Sequence, residues 1–497
     1  QPKDDFLEGM AILKKSMITV QKIRAEGKLP KQIVAKVDAL APVWIPLQNV
    51  IDSLPVVLGF DHKKVYLVLL QNNMELRPGG GFIGSYGLLR VKNGAIEDFS
   101  VHDVYDADGK LTFHIEPPYG LRRYLGASHW FLRDSNFAID FPQNASQAMT
   151  FLELETGEKV DGVIALDTTF FKNLLEAFTS VNVPEYKETI TPENFYLRTQ
   201  THVEKDFFPG STQKKDFLQA LLNAMEERLA SRQDVSYDVL VDKLGESIRG
   251  KHVLFSFRDE AVQKLFVVTG ISSTLWDSRS SRENTFLDTF GVIDANVGVN
   301  KANYYLTREI EQKVSISASG TIQTTARVLY TNTSKRDSQF GGDYKNFVRF
   351  ILPAQAVIRS IRIDGVDQEI VPAVTDPAIF TDNDFVPPEG LEVAIVNEQD
   401  KTTVGFLVLV PRGKSKTVNV TYEVVRAISP QEPVFDYALW VYKQPGTVGD
   451  SYSFSVSYPE SYQIIRKDDA LSDVGGKLVY SDLLSEDTYF TVGFSKK

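Results

Sequence analysis

The hydrophobic pattern of this chain changes its period along the sequence. Phe6, Met10, Leu13, Met17 and Val20 recur at helical spacing, with charged residues between them, and Gly27 and Pro30 close that helix. Short helices are also expected over residues 31–40 and around Trp44–Leu54. Val65–Leu70 reads VYLVLL, a continuous apolar run of the kind buried on both faces at the centre of an α/β sheet. Tyr86–Val91 and Ala95–Val101 flank Asn93-Gly94, which predicts a hairpin with a type I′ turn. Residues 102–142 carry no regular period.

Order then returns. Asp140–Gly157 reads as a helix entered through Pro142, Val160–Leu166 as a second buried strand, and Thr168–Phe178 as a helix with Phe170, Phe171, Leu174, Leu175 and Phe178 inward. Thr191-Pro-Glu-Asn194 has the look of a helix entry, the following Phe195–Pro209 reads as a loop of mixed character, and Gln213–Ala230 as an amphipathic helix. A helix over Asp238–Ile248, a strand at His252–Phe257 and a helix at Asp259–Val267 follow. This alternation predicts an α/β (or α+β) domain. From about Asn303 the period becomes two: Val314/Ile316/Ala318, Val418/Val420/Tyr422/Val424 and Phe454/Val456/Tyr458 alternate with polar residues. An all-β, sandwich-like region of one or two modules is expected there. The predicted organisation is a helical segment at 1–58, an α/β domain at 59–302 and a β-sandwich-like region at 303–497.

Composition refines the picture without redirecting it. A chain of 497 residues is too long for one core. Its formal net charge of −11 argues against a general nucleic-acid binder. The absence of cysteine excludes disulfides, thiolate metal sites and cysteine nucleophiles. No run of 18 apolar residues is present, so nothing in the sequence reads as a membrane-spanning helix.

Chemically useful groups concentrate between Asn72 and Asp108. Gly79, Gly81 and Gly84 satisfy G-x-G-x-x-G, but a strand follows them instead of the helix that a dinucleotide site needs. Gly79, Gly80 and Gly81 can still offer backbone N–H groups to an anion, or can form a strained turn and nothing more. Arg77 beside them can grip a phosphate bidentately, or pair with Glu75. Ser85 lies on the same loop, but Ile83 stands where a nucleophile elbow requires glycine. Asp98, Asp103, Asp106 and Asp108 crowd the end of the hairpin. The spacing excludes an EF-hand, because Pro117 occupies the twelfth position, and leaves a hydrated Mg²⁺ or backbone capping as readings. Further on, Arg133, Asp134 and Asp140 sit in an aromatic stretch that suits either a lipid- or sugar-phosphate pocket or a buried ion pair.

These residues carry a resemblance. Gln71-Asn-Asn-Met-Glu-Leu-Arg-Pro-Gly-Gly-Gly-Phe-Ile-Gly-Ser85 is similar to the signature of the bacterial domain of unknown function 4012 family. So are His102-Asp-Val-Tyr-Asp106, Arg133-Asp-Ser-Asn136 with Asp140-Phe-Pro142, Val160–Leu166, and Asp294-Ala-Asn296 with Asn300-Lys-Ala-Asn303. That family resembles, more remotely, the LytR–CpsA–Psr phosphotransferases, which move a glycopolymer from a polyprenyl-pyrophosphate lipid onto peptidoglycan. The resemblance implies that Arg77 binds pyrophosphate, Arg133 is a second phosphate grip, and Asp103 or Asp106 holds the metal. The full candidate set is Arg77, Gly79, Gly80, Gly81, Ser85 and Arg133 for ligand binding, and Asp103, Asp106 and Asp140 for Mg²⁺, with Asp103 and Asp106 also as catalytic carboxylates. The chain departs from the transferases where Gly81–Ser85 replaces an Asp-Thr pair and Asp103–Asp106 an Arg-Asp pair.

The implied protein is an extracytoplasmic bacterial envelope ectodomain, membrane-anchored through an N-terminal segment absent from this chain. Its implied partner is a lipid-linked or cell-wall glycan, with glycopolymer phosphotransfer as the associated activity and the β region available to other envelope proteins. A non-catalytic cell-surface structural or assembly protein on the same scaffold is the alternative.

Overall fold

The computed structural model describes all residues except 1, 35–36, 38–47, 49, 205–212, 232–233, 276–283, 382–384, 399 and 430. Half of the short helix expected at 31–40, and the start of the one expected at Trp44–Leu54, lie outside the described residues. The chain divides into two compact units. The first comprises Gln1–Asn73, Gly79–His114 and Phe131–Thr274; the second comprises Met74–Pro78, Ile115–Trp130 and Leu275–Lys497. The expected boundary at 302/303 therefore falls inside the second unit. The strand responsible is Thr285–Ile293, whose alternation is interrupted by polar residues and which pairs wholly with later strands.

The first unit is mixed α/β. Numbered in chain order, its strands are β1 (Lys64–Asn72), β2 (Phe82–Lys92), β3 (Ala95–Asp103), β4 (Gly162–Asp167), β5 (Val181–Val183), β6 (Glu188–Ile190) and β7 (Val253–Phe257). The main sheet has the order β3-β2-β1-β4-β7. As expected for a strand buried on both faces, β1 is central, antiparallel to β2 and parallel to β4. The predicted hairpin forms: Asn93 (φ 51°) and Gly94 (φ 78°) take the left-handed conformations that a type I′ turn needs. One sheet face packs Val68, Leu70 and Val101 against Phe171, Leu175, Phe217 and Leu221. The helix Phe141–Thr156 packs against β4 and β7 and ends at Gly157 (φ 78°).

Among the described residues the helices Pro2–Ala25, Phe141–Thr156, Thr168–Glu176, Gln213–Ser231, Tyr237–Arg249 and Glu260–Val268 fit the expectations. Phe195–Glu204 does not, being a helix where the sequence reads as a loop. Its buried positions, Phe195, Tyr196, Thr199 and Gln200, are half polar, which hides the helical period. Among the described residues, no helix is long and apolar enough to cross a membrane.

The second unit is a β-sandwich. Its strands begin with β8 (Thr285–Ile293), β9 (Leu306–Ile316), β10 (Ile322–Asn332), β11 (Tyr344–Pro353), β12 (Val357–Ile363), β13 (Val366–Asp367), β14 (Ile370–Pro372) and β15 (Leu391–Glu398). They continue with β16 (Lys401–Val410), β17 (Ser415–Val424), β18 (Val434–Tyr442), β19 (Ser451–Ser457), β20 (Tyr462–Lys467), β21 (Ser472–Val474), β22 (Lys477–Leu483) and β23 (Thr488–Lys496). Two eight-stranded sheets run β13-β12-β17-β10-β9-β19-β22-β21 and β14-β15-β16-β11-β8-β18-β23-β20. Alternate residues of both sheets, such as Val328, Val420 and Phe454 from one and Phe350, Phe406 and Leu439 from the other, share one core.

Candidate functional site

Arg77 lies in the second unit and is 2% exposed. Its Nη2 donates to Glu75 Oε1 at 3.1 Å, and its Nη1 donates to the carbonyl oxygen of Asn296. Asparagines of the Asp294–Asn303 stretch hold the same short segment. Leu76 N donates to Asn303 Oδ1 at 3.1 Å, Asn296 N donates to Leu76 O at 2.9 Å, and Asn296 Nδ2 donates to Asn303 Oδ1 at 3.0 Å. Gln444 Nε2 donates to the Arg77 carbonyl at 3.3 Å. The pair with Glu75, one of the two readings open for Arg77 from the sequence, is the one the geometry contains.

The remaining candidates belong to the first unit. Gly79, Gly80 and Gly81 are buried. Gly79 N donates to the carbonyl of Asn136 at 3.0 Å, and Asn136 Nδ2 donates back to the Gly81 carbonyl at 2.6 Å. A Cβ at position 79 would lie 2.8 Å from Asn144 Nδ2, and one at position 81 would lie 2.4 Å from the Asn72 carbonyl carbon. Close packing against Asn136, Asn144 and Asn72 therefore accounts for these two glycines. Ser85, fully buried on β2, faces Asp103 across the β2–β3 ladder.

Asp103 caps the short helix Val104–Asp108 by accepting from Tyr105 N at 2.8 Å, and Asp106 lies exposed in its first turn. Asp140, 4% exposed, occupies the N-cap position of the helix Phe141–Thr156. Among the described residues, no group of three or more His, Asp or Glu side chains is arranged to hold a metal ion. Asp103 is engaged as a helix cap, while Asp106 lies exposed in the first turn of that helix.

Instead, the structure builds its charge cluster around Arg133. Nη1 donates to Asp108 Oδ2 at 2.7 Å, and Nε lies 3.4 Å from Asp134 Oδ2. The guanidinium stacks over the Phe131 ring at 4.5 Å and the Tyr105 ring at 5.3 Å, leaving the side chain 25% exposed. Beneath it Glu155, 3% exposed, accepts from Leu132 N at 3.0 Å. Burial, opposed by Arg133, pushes the Asp108 carboxyl up to about 6. Burial and the neighbouring Asp108 push Glu155 up to about 8. Tyr86, stacked on His102 at 5.1 Å, is pushed up to about 12 by burial and by Glu155, Asp106, Glu158 and Asp108. The surroundings of Arg133 are acidic.

Residues 61–202 match the family described as Protein of unknown function (DUF4012). That stretch, less than a third of the chain, is what resembles the family. It contains the β1–β4 core, the glycine turn and the Arg133 cluster. No curated protein matches the chain. Among solved structures, a putative nutrient binding protein from Legionella pneumophila is similar at a TM-score of 0.27 and 8% identity, over 38% of this chain and 67% of that one. Yeast LTA4 hydrolase in complex with bestatin is similar at 0.22 and 5% identity, over 38% of this chain and 29% of that one. An M1 zinc metallopeptidase from Deinococcus radiodurans is similar at 0.17 and 6% identity, over 39% and 43%. At such scores these likenesses carry no argument about the fold or activity of this chain.

Within residues 61–202, Asp108 and Arg133 were visible in the sequence as members of charged runs. Glu155 was not, because it sits in an ordinary helix with no motif around it; only its fold neighbours Leu132 and Asp108 give it an unusual environment.

Proposed function

We propose that this protein is a non-catalytic structural or assembly component of the bacterial cell surface, extracytoplasmic, with its β-sandwich available for contacts to other envelope proteins. The observation that supports this most is the state of Arg77. A pyrophosphate-gripping arginine must present its donors to the ligand, whereas this one is 2% exposed and engaged by Glu75 and the Asn296 carbonyl. The glycine turn beside it in sequence is accounted for by packing, and Arg133 is already engaged by Asp108 and Asp134.

The second reading is a LytR–CpsA–Psr-like protein that binds, and transfers, a polyprenyl-phosphate-linked glycan. One observation favours it: Arg133 is partly exposed and framed by Phe131 and Tyr105, an arrangement able to stack on a sugar while holding an anion. Incubating the purified chain with a polyprenyl-pyrophosphate glycan and a peptidoglycan acceptor, with and without Mg²⁺, separates the two readings. No product above the protein-free blank is expected. Turnover that disappears in Arg133→Ala, while the melting temperature holds, would replace the first reading with the second.

A further inference from the structure

Many strands of the sandwich alternate, as β9, β10 and β19 do, and positions facing the shared core should be apolar. Six of them break this rule at one place. Asp288 on β8, Gln312 on β9, Thr324 on β10, Tyr422 on β17, Tyr437 on β18 and Tyr452 on β19 occupy inner positions and are at most 1% exposed. They come from both sheets, and they are surrounded by the aromatic and aliphatic core.

Part of this polar group satisfies itself. Tyr437 donates its hydroxyl to Asp288 Oδ2 at 2.7 Å, and Tyr452 donates to Gln312 Oε1 at 2.7 Å. Thr324 and Tyr422 are cross-strand partners, and the side chains of Thr324 and Gln312 lie within loose hydrogen-bonding reach of the Tyr422 hydroxyl. Even so, among the described residues four polar atoms find no partner at full hydrogen-bond geometry: Asp288 Oδ1, Gln312 Nε2, Thr324 Oγ1 and the Tyr422 hydroxyl. The charge of Asp288 is felt at Tyr422, Tyr437 and Tyr452, so these groups share one neighbourhood. Each open atom would bear the full penalty of lost hydration if it stayed unmet.

The kinds of open atom select the ligand. Asp288 Oδ1 accepts when ionised, Gln312 Nε2 only donates, and the two hydroxyls can do either. A metal cation satisfies oxygen acceptors but cannot accept from an amide N–H. Water both donates and accepts, and buried water characteristically makes about three such bonds. We infer that the centre of the sandwich is a built water site, in which ordered solvent bridges Asp288, Thr324, Tyr422 and Gln312 and so ties one sheet to the other. The Asp288 carboxyl, pushed up to about 7 by burial, then exchanges its proton through that solvent.

A crystal structure of the full chain, grown with and without rubidium, tests this directly. Density is expected within hydrogen-bond distance of Asp288 Oδ1 and at least one of Thr324 Oγ1, the Tyr422 hydroxyl and Gln312 Nε2, with no anomalous signal from rubidium. Anomalous density at that point would make it a cation site and overturn the water assignment. A closed core in which the four atoms bond one another would overturn it as well. In solution, oxygen-17 relaxation dispersion should report long-lived internal water in the native chain. The signal should fall in the double variant Thr324→Val, Tyr422→Phe relative to a folded control such as Ser453→Ala; an unchanged signal in a folded double variant would place the trapped water elsewhere.

Discussion

Arg77 donates through Nη1 to the backbone carbonyl of Asn296, 219 residues further along the chain. Two stretches that both contribute to the family resemblance thus meet, and they meet as structure. Breaking a buried ion pair on one side typically costs about 3–5 kcal/mol, and Arg77→Ala also leaves Glu75 without this cation. A loss of that size is expected in urea unfolding. Arg77→Lys should recover little of it, because an ammonium cannot span Glu75 and the Asn296 carbonyl as a planar fork does. A variant that keeps native stability would mean that Arg77 is free to serve a ligand.

The Arg133 cluster predicts a pH dependence with a definite sign. Glu155 titrates at about 8 in the folded chain and at about 4.3 when unfolded. Between these values the folded state holds the extra proton, so unfolding free energy falls as pH rises through this window. Asp108, at about 6 against about 3.9 unfolded, acts in the same direction at lower pH. Glu155→Gln should flatten the decline between pH ~6 and ~8, by up to about 1.4 kcal/mol per pH unit. Denaturant titrations at a series of pH values measure this, and a wild-type profile rising over that range would refute the assignment.

Gly81 is expected to tolerate no side chain. In Gly81→Ala the new Cβ would sit 2.4 Å from the Asn72 carbonyl carbon and 2.5 Å from its oxygen, both backbone atoms that cannot swing aside. Overpacking of this kind costs about 1–3 kcal/mol or more. Thermal unfolding and soluble yield would register it; an alanine variant melting with the wild type would show that the turn can relax.

Metal should matter little to this fold. Because Asp103 is already spent on capping the helix Val104–Asp108, adding millimolar Mg²⁺ or a chelator is expected to leave the melting temperature in place. A bound ion at a hundredfold excess over its Kd would add about 2.7 kcal/mol, which calorimetry would detect as an upward shift.

Local rules made much of the architecture legible in the sequence. The continuous apolar run of β1, the Asn93-Gly94 hairpin and the helix closing at Gly157 follow from backbone preferences of a few adjacent residues. The period-two pattern identified the sandwich for the same reason, because each strand alternates by itself. The helix Phe195–Glu204 escaped because polar Thr199 and Gln200 occupy buried positions. The chemistry was decided by tertiary structure. Whether Arg77 grips a ligand or an internal carbonyl depends on Asn296, and the state of Asp108 depends on Arg133, 25 residues away. The open donors and acceptors around Asp288 are set by partners from both sheets. Charge compensation and burial belong to neighbourhoods in space, and spacing along the chain carries only the candidates for them.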